Sequence, residues 1–494
     1  MGMKTVGPII GERELKDAAG GAFEVVNPAT GEVIAREAVC DATEVGRAVE
    51  SSERAFESAV WQKMSPSERG RKLLKLADLV EQRAEQLVEL ELIDTGKPIS
   101  QLTGAEIPLT AAIIRFYAGA ADKIEGAVKS TSEGAFYLTM LEPYGVVAGI
   151  LPWNYPLVNA ALKVAPAVAA GNAMVLKPSV ETPLATVAFA KLCLEAGLPA
   201  GIVNVVTGSG SKIGNALVGH PGIKKVSFTG STAAGIAIQK LAAEQMKPVN
   251  LELGGKNAIV VFADADLDRA AQATLLSAFI NAGQLCVSCS RLLVEEPIAD
   301  EFESLLVAKT EKITVGNPRL KETLVGPMIT RAQYETALGY LKAAPREGCG
   351  VLCGGGKLDL PAPFDKGFWL QPTIVSGAAP GMKIAQEEIF GPVLTVMRFK
   401  DEADAVRQAN SVVYGLSGSV WTKDGAKALR MVKEMNTGII WVNTMLSGYP
   451  QIPVPPHKMS GTGVELGMEG LLAYCKRKSA MVAYDDRSPV GWGL

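Results

Sequence analysis

From Gly145 onward, short apolar runs alternate with segments of helical spacing, and this alternation restricts the fold more than any other feature. The first five runs occupy 146–150, 173–176, 202–206, 225–228 and 250–253. Segments such as 183–196 lie between them and have helical spacing. Parallel strands need such crossovers, and their sheets are covered on both faces. The pattern predicts an α/β fold with an open, parallel, Rossmann-like sheet.

A second series of the same kind begins near residue 258 and runs to about 454. Its candidate strands include 291–294, 393–396 and 438–442. A chain of 494 residues is too long for one ordinary core, so we expect two such domains with a ligand cleft between them. The predicted division is 1–123 with 143–254, then 255–454, with 124–142 and 478–494 as strands outside both sheets.

Composition excludes several classes of protein. A net charge of −3 argues against nucleic acid or an anionic membrane as the main partner. Seven cysteines, an odd number, do not resemble a disulfide framework and favour a reducing compartment. The first 15 residues contain no sustained apolar stretch, and later apolar runs such as 164–176 are interrupted. We therefore predict a cytoplasmic protein without a signal peptide or a membrane span.

Cys286 and Glu252 are the strongest catalytic candidates. A thiol nucleophile and a carboxylate base can form a thioester and then hydrolyse it. The chain has only two histidines, so the usual partner of a catalytic cysteine is scarce. An isolated cysteine is more often a buried apolar residue, and a lone glutamate is more often solvated. The adjacent Gly254-Gly255 and the nearby Gly283 instead indicate close backbone approach to a ligand.

Two further loops are candidates for ligand binding. Asn154, between Pro152 and Pro156, could donate to a developing oxyanion, although turns also favour asparagine. Gly230 and Ser231 follow an apolar strand and precede a helix, where unpaired N–H groups favour phosphate. A simple helix cap is the alternative for that segment.

These segments resemble the signature motifs of the aldehyde dehydrogenase superfamily, of the NAD(P)-dependent, non-acylating type. The resemblance covers nearly the whole chain, and the separation of 34 positions between Glu252 and Cys286 agrees with it. Six further motifs follow in the family's order, namely Pro152-Trp153-Asn154-Tyr155-Pro156, Lys177-Pro178-Ser179, Phe228-Thr229-Gly230-Ser231-Thr232, Glu387-Glu388-Ile389-Phe390-Gly391-Pro392, Trp441-Val442-Asn443 and Lys458-Met459-Ser460-Gly461.

The resemblance implies a cofactor site for NAD or NADP. Lys177 would hold the adenosine ribose, Ser231 and Trp153 would lie near the pyrophosphate, and Glu388 and Phe390 would contact the nicotinamide ribose and ring. The complete predicted set is Trp153, Lys177, Ser179, Val180, Gly208, Gly230, Ser231, Leu253, Glu388 and Phe390. Val180 stands where many NAD-preferring relatives carry a glutamate, so we predict that NADP is tolerated or preferred.

The resemblance also implies a mechanism and an assembly. Cys286 would attack an aldehyde, Asn154 would stabilise the alkoxide, and Glu252 would activate the water that releases the acid. Lys163 and Glu465 would relay protons, although a simple ion pair is as good an explanation of them. The strands outside the two sheets would form a small oligomerisation element of a homodimer or homotetramer.

The predicted substrate is a neutral, medium-sized aliphatic or aromatic aldehyde. The residues near the expected tunnel are Tyr155, Leu162, Leu285, Val287 and Val454, and many relatives have aromatic residues in place of Leu162 and Val454. An aminoaldehyde, betaine aldehyde or semialdehyde is the alternative. Pro455-Pro456 replaces a usual pair of glycines beside the tunnel.

The cysteines allow two other hypotheses. Cys286 and Cys289 form a C-x-x-C that could, with Cys349 and Cys353, build a zinc-thiolate site in a binding protein. Apart from this alternative we predict no metal site. Cys289 could instead form a reversible disulfide with Cys286 under oxidation. A structural protein with a degraded catalytic set is a third class, which the intact motifs argue against.

Overall fold

The computed structural model describes residues 4–131 and 134–485, and it contains two large sheets. The strands of the amino-terminal half are β1 (Lys4–Val6), β2 (Ile9–Ile10), β3 (Arg13–Glu14), β4 (Ala22–Val26), β5 (Val33–Ala38), β6 (Ala127–Ser130), β7 (Ala135–Pro143), β8 (Val146–Ile150), β9 (Ala173–Lys177), β10 (Val203–Val205), β11 (Ile223–Thr229) and β12 (Val249–Glu252). Those of the carboxyl-terminal half are β13 (Ala258–Val261), β14 (Arg291–Glu295), β15 (Gly350–Cys353), β16 (Thr373–Ser376), β17 (Val393–Phe399), β18 (Tyr414–Gly415), β19 (Ser417–Trp421), β20 (Ile439–Val442), β21 (His457–Lys458), β22 (Gly461–Thr462) and β23 (Cys475–Ala483).

Helices cover the sheets and connect their parallel strands. The α-helices are α1 (Ala42–Glu57), α2 (Ala59–Gln62), α3 (Pro66–Gln82), α4 (Ala84–Thr95), α5 (Ile99–Gln101), α6 (Ile107–Ala120), α7 (Pro156–Ala169), α8 (Leu184–Glu195), α9 (Asn215–Gly219), α10 (Thr232–Ala243), α11 (Leu267–Phe279), α12 (Ala299–Thr310), α13 (Arg331–Ala343), α14 (Lys383–Gln386), α15 (Glu402–Ala409), α16 (Gly425–Glu434) and α17 (Gly467–Leu472). Two π-helical turns, Leu102–Glu106 and Gly210–Gly214, and three 3₁₀ turns, Ile280–Gly283, Glu296–Ile298 and Ala344–Glu347, complete the helical segments described.

The first sheet has the strand order β22-β12-β11-β8-β9-β10-β2-β3. Its five central strands β8 to β12 are parallel, with Val146 opposite Ala173 and Thr229 opposite Glu252. These strands correspond to the five predicted apolar runs. Since parallel strands end at one edge, the loops after β8, β9, β11 and β12 all open on the same side.

The second sheet has the order β15-β16-β17-β14-β13-β19-β20 and is parallel except for β15. The predicted strands at 291–294, 393–396 and 438–442 correspond to β14, β17 and β20. Each large sheet has its own hydrophobic core, one around β8 and β9 and the other around β13 and β14. The predicted α/β fold with two largely parallel sheets is therefore confirmed.

Smaller sheets lie outside these two. β23, β7 and β6 form an antiparallel sheet, in which Cys475 to Ala483 pair with Pro143 to Ala135. This sheet contains residues 127–130 and 135–142 of the predicted segment 124–142, and residues 478–483 of the predicted segment 478–494. Residues 132–133 and 486–494 lie outside the described part of the chain. β1, β5 and β4 form a second small sheet, and β18 pairs with β21. The proposed domain boundaries and the oligomerisation role remain predictions.

Within residues 4–131 and 134–485, no helix combines the length and the apolar character needed to cross a membrane.

Candidate active site

The loop that carries Cys286 makes a sharp turn through left-handed backbone. α11 ends at Phe279, and Asn281, Ala282 and Gly283 then have φ values of 49°, 54° and 71°. Residues other than glycine seldom adopt such angles, so two in succession must be held by their surroundings. At Gly283 a Cβ atom would lie 2.2 Å from the carbonyl oxygen of Gly391. Only glycine therefore fits where the loop turns toward the nucleophile.

Side-chain amides hold this loop on both sides of Cys286. Asn257 Nδ2 donates to the carbonyls of Cys286 at 2.7 Å and Ser288 at 2.9 Å. Gln284 Nε2 donates to the carbonyl of Asn281 at 3.0 Å, while its Oε1 accepts from Ile329 N at 2.9 Å. A strained turn with this many polar contacts is preorganised before a ligand arrives.

Asn154 contacts the same loop. Its Nδ2 donates to the carbonyl of Gln284 at 3.0 Å, and Asn281 Nδ2 donates to the Asn154 carbonyl at 3.3 Å. The side chain lies four residues beyond the end of β8 and is buried. An amide nitrogen carries two protons, so one N–H can hold the loop while the other donates to an oxyanion near Cys286.

The Cys286 thiol is a neutral group in its surroundings. Burial, and after it the negative charges of Glu388 and Glu252, raise the pKa of Cys286 to about 12, while the N–H of Val287 lowers it. Nucleophilic attack therefore requires a base that removes the thiol proton.

Glu252 ends β12 and is the predicted base. Its side chain is buried, and its Oε1 has no hydrogen-bond partner among the described residues. Burial and then the charge of Glu465 raise the pKa of Glu252 well above the ordinary range, while Lys163 lowers it. A carboxylate with a raised pKa accepts a proton more readily than an ordinary one.

Lys163 and Glu465 lie beside this base, as the sequence suggested. Lys163 is fully buried in α7, pairs with the Glu465 carboxylate, and donates to Thr229 Oγ1 at 2.8 Å. Thr229 is the neighbour of Glu252 on the adjacent strand. The three ionisable groups therefore form one buried cluster behind the nucleophile.

A cavity of about 250 Å³ opens at the carboxyl ends of the strands of the first sheet, where residues that precede β14 and β17 of the second sheet form the other side. It brings together eight of the predicted residues, Trp153, Asn154, Gly230, Ser231, Leu253, Cys286, Glu388 and Phe390. The rings of Trp153 and Phe390 meet edge to face, with centroids 5.3 Å apart. This is where open α/β sheets bind ligands.

Glu388 is held at the inner end of the cavity. Its Oε1 accepts from Gly255 N at 2.8 Å, and burial raises its pKa to about 7 against the opposing effects of that N–H and of Lys256. At Gly254 a Cβ atom would lie 2.1 Å from Glu388 Oε2. The two glycines after Glu252 thus permit the close approach that their position in the sequence indicated.

Another wall of the cavity contains the residues just before helix α10. Ser231 caps α10, and its hydroxyl accepts from Ala234 N at 3.3 Å. Thr232 Oγ1 is buried and lies beside the Tyr414 hydroxyl. The helix N-terminus fits the diphosphate of a dinucleotide.

The residues predicted to bind the adenosine end of the cofactor contact neighbouring protein groups instead. Lys177 Nζ donates to the carbonyl of Pro178 at 2.9 Å, and Ser179 donates to the Glu181 carboxylate. Val180 is half-buried between them. Glu37, a residue that sequence reasoning missed, is fully buried. Burial raises the pKa of Glu37 to about 8, while the charge of Lys177 and a hydrogen bond from the Gly208 N–H lower it.

Gly208 lies in the turn before the π-helical segment Gly210–Gly214, with φ 127°. A Cβ atom there would lie 2.7 Å from Ile213 Cγ1, so packing within the turn already requires glycine. A direct cofactor contact of Gly208 remains a prediction.

The predicted tunnel residues are all half-buried. Leu285 and Val287 flank Cys286, and Leu162 lies next to Lys163 in α7. Val454 N donates to the carbonyl of Glu465 at 2.8 Å, which places Val454 beside the buried cluster. The Tyr155 hydroxyl accepts from Gln101 Nε2 at 3.2 Å.

Sequence reasoning also missed the residues that support the site. Asn257 follows the Glu252 motif directly, and a polar residue at the start of a buried strand is a usable signal. Gln101 and Lys97 lie more than 180 positions before Cys286, and nothing in their local sequence connects them to it.

The zinc-thiolate alternative is wrong. No group of three or more metal-ligating side chains comes together anywhere in residues 4–131 and 134–485. Cys349 lies beside Met382, with a sulfur–sulfur distance of 3.5 Å, and Cys289 is fully buried beside Met445. All seven cysteines are free. The disulfide between Cys286 and Cys289 remains a hypothesis.

Known proteins resemble this chain along its whole length. The aldehyde dehydrogenase family model matches residues 15–480. Aldehyde dehydrogenase family 2 member B4, mitochondrial, of Arabidopsis thaliana is 42% identical over 94% of this chain and 86% of its own length. A betaine aldehyde dehydrogenase of Vibrio vulnificus is 39% identical over 97% of this chain and 98% of its own.

Solved structures agree. PnpE of Pseudomonas sp. WBC-3, in complex with nicotinamide adenine dinucleotide, is 39% identical and covers 98% of each chain with a TM-score of 0.95. The similarity in sequence and fold, together with the thiol, carboxylate and dinucleotide cleft described above, shows that the chain belongs to the aldehyde dehydrogenase family and is an NAD(P)-dependent oxidoreductase acting on aldehydes.

Proposed function

We propose that the protein oxidises aldehydes to carboxylic acids through a thioester on Cys286, which water activated by Glu252 hydrolyses. The observation that carries this proposal is the buried Glu252, whose Oε1 has no partner among the described residues and whose charge is close enough to raise the pKa of Cys286. A buried carboxylate without a partner is costly unless a ligand or water occupies its site.

The first half of the reaction forms the thioester. Glu252 takes the proton of Cys286 through direct contact or one water, and the sulfur adds to the aldehyde carbon. The free N–H of Asn154 donates to the resulting alkoxide. Bound NAD(P)⁺ supplies the hydride acceptor. The neighbouring side chains Glu388, Phe390 and Trp153 bind and orient this cofactor.

The second half releases the acid. The proton that Glu252 took from Cys286 first leaves through Lys163 and Glu465. Glu252 then takes a proton from water, whose oxygen adds to the thioester carbon. The carbon–sulfur bond breaks, and the sulfur receives that proton from Glu252. Aldehyde, water and NAD(P)⁺ thereby give carboxylic acid, NAD(P)H and one proton.

The proposed substrate is a neutral, medium-sized aldehyde. Aliphatic side chains stand at Leu162 and Val454, and both are half-buried. Glu106 shares the Gln101 amide with Tyr155 as a hydrogen-bond partner. Its carboxylate is buried and already pairs with the Lys97 ammonium. No free carboxylate therefore faces that part of the described wall to attract a cation.

A cationic aldehyde is the second candidate. The Vibrio vulnificus relative is named betaine aldehyde dehydrogenase and is 39% identical to this chain. The Tyr155 ring supplies one face of the kind that binds quaternary ammonium.

An aldehyde panel separates the two. Propionaldehyde, hexanal, benzaldehyde, betaine aldehyde and 4-aminobutyraldehyde would be compared by kcat/KM, followed as reduced cofactor, with Cys286→Ala as control. We expect the neutral aldehydes to give the highest values. A preference for betaine aldehyde would overturn the substrate proposal, and turnover by Cys286→Ala would overturn the mechanism.

We also propose that NADP is used as well as NAD. Val180 leaves no side-chain carboxylate at its own position to repel a 2′-phosphate. Glu181 lies one residue later, and its carboxylate is engaged by Ser179. The ratio of kcat/KM for the two cofactors tests this, and a value for NAD more than about 100-fold above that for NADP would contradict it.

We further propose a homodimer or homotetramer in the cytoplasm. The sheet of β6, β7 and β23 exposes Val128, Met140 and Val482 on one face and Tyr137 and Met481 on the other, and exposed apolar side chains of this kind can associate with another copy. Light scattering coupled to size exclusion would contradict this if it gave a mass near 52.0 kDa. The seven free cysteines suit a reducing compartment.

A further inference from the structure

Gln101 joins three groups that belong to different parts of the site. Its Nε2 donates to Glu106 Oε1 at 3.1 Å and to the Tyr155 hydroxyl at 3.2 Å, while its Oε1 accepts from Asn281 N at 3.3 Å. Because a main-chain N–H can only donate and a carboxylate can only accept, these contacts fix the orientation of the amide. One side chain thus links α5, the tunnel wall and the nucleophile loop.

Through Glu106, Gln101 contacts a buried cluster of charged side chains. Lys97 is fully buried, and its Nζ contacts Glu91 Oε1 at 2.9 Å, pairs with Glu106, and lies 4.4 Å from the centre of the Tyr155 ring. Removing one partner of such a cluster leaves an uncompensated buried charge and is strongly unfavourable. Glu106 and Tyr155 are therefore well fixed anchors for the amide of Gln101.

Through Asn281, Gln101 contacts the strained turn that leads to Cys286. Asn281 has φ 49°, and its side chain donates to the carbonyl of Asn154. A contact to Asn281 N therefore acts on two catalytic elements at once, the turn that leads to Cys286 and the loop that carries Asn154. Left-handed backbone at a non-glycine residue persists only where neighbours hold it.

We propose that Gln101 is a positioning residue, which transmits the rigidity of the Lys97 cluster to the nucleophile loop and keeps Cys286 and Asn154 aligned. This proposal rests on the proposed function for its kinetic consequence only. The structural consequence, lower mobility of residues 280–288, holds whichever substrate the enzyme takes.

The test is Gln101→Met, which keeps the length of the side chain and removes its hydrogen bonds. Thr103→Val is the matched control, since Thr103 lies in the next turn, is exposed, and bonds only to the carbonyl of Ile99 at 2.8 Å. Tyr155→Phe removes one of the three contacts and serves as the second variant if Gln101→Met does not fold.

Hydrogen exchange on the cofactor-free enzyme supplies the readout that is independent of activity. We expect amides in 280–288 to exchange about five- to tenfold faster in Gln101→Met, with segments of the second core unchanged, because one lost hydrogen bond lowers the cost of local opening. In Tyr155→Phe we expect a smaller increase in the same segment. Exchange in 280–288 within about twofold of wild type in the variant that folds would overturn the proposal.

Kinetics supply the second readout. We expect kcat to fall about tenfold or more in Gln101→Met, since small misplacements of reacting groups are costly, while the Kd of the cofactor changes less than about twofold. A fall in kcat without faster exchange at 280–288 would also overturn the proposal. If no aldehyde is oxidised even by wild type, the proposed function fails, and the exchange result still decides the role of Gln101.

Discussion

The nucleophile loop and the cofactor cleft meet at Cys286, and they differ in how their polar groups are satisfied. In the loop, the carbonyls of Cys286, Ser288 and Gln284 accept from the side-chain amides of Asn257 and Asn154. Beside the cleft, Glu252 Oε1 has no hydrogen-bond partner among the described residues, although the next residues, Leu253 and Gly254, line the cavity.

This difference separates what the protein positions by itself from what a ligand completes. Buried polar groups are nearly always hydrogen-bonded, so the unpaired oxygen of Glu252 beside the cleft marks a place for a polar ligand or for water. The loop of Cys286 is held by protein contacts alone, whereas the Glu252 carboxylate requires substrate, cofactor or water as a partner.

The largest expected effect comes from removing the amide of Asn154. In Asn154→Ala we expect kcat to fall about 10²- to 10³-fold, the usual cost of one oxyanion donor, with little change in the Kd of the cofactor. Asn159→Ala is the control, because Asn159 is also buried in this region and donates to the carbonyl of Tyr155 at 2.9 Å without contacting the loop. Equal losses in the two variants would show that Asn154 is only structural.

Next in size is the loss of the bonds that hold the loop. Asn257→Leu leaves the carbonyls of Cys286 and Ser288 and the N–H of Ser417 without their partner. We expect a loss of about 2–3 kcal/mol in the free energy of unfolding, because unpaired buried polar groups are costly. Asn410→Leu, which removes contacts at an exposed site to Glu434 and Asn436, should cost less than half as much in a denaturant titration. A similar midpoint for both variants would contradict the account.

A smaller effect is a pair of opposite shifts in the pH profile. Glu252 must be ionised to act as a base, so the rate rises with pH through its raised pKa. Glu465 raises that pKa and Lys163 lowers it, so Glu465→Gln should move the acidic limb of kcat toward lower pH and Lys163→Met toward higher pH, each by less than about two pH units. Shifts in the same direction would exclude the direct electrostatic effect.

A further effect concerns the buried Glu37. Burial raises the pKa of Glu37 to about 8 in the folded state, whereas a glutamate in the unfolded chain has a pKa of about 4.3. As the pH rises between these two pKa values, ionisation of Glu37 destabilises the folded state. Glu37→Gln should therefore leave stability unchanged below about pH 4 and raise it above pH 8, by at least about 1 kcal/mol. Thermal unfolding at both pH values measures this, and an equal change at the two would refute it.

The sequence predicted the fold because its strands depend on local patterns. Runs of four or five residues located β8 to β12, and Asn154, Ser231 and Glu252 all follow or end such strands. Since parallel strands end at one edge, their loops had to converge, and the cavity at that edge contains Asn154, Ser231 and Cys286.

What the sequence did not predict depends on contacts between distant segments. Gln101 and Asn281 are 180 positions apart and meet through one hydrogen bond. Glu37 lies in a strand of a small sheet, and only the packing of that sheet places its charge near Lys177. The burial of Cys289 and the separation of the cysteines likewise follow from tertiary packing, so the sequence alone does not exclude the zinc alternative.

The most direct test of the central claim is the intact mass of Glu252→Gln after a single mixing with hexanal and the oxidised cofactor. We predict one equivalent of reduced cofactor in a burst, and protein whose mass is increased by one acyl group, absent in the double variant that also carries Cys286→Ala. Full steady-state turnover without an acylated species would contradict hydrolysis by Glu252, and acylation that persists without Cys286 would contradict the nucleophile.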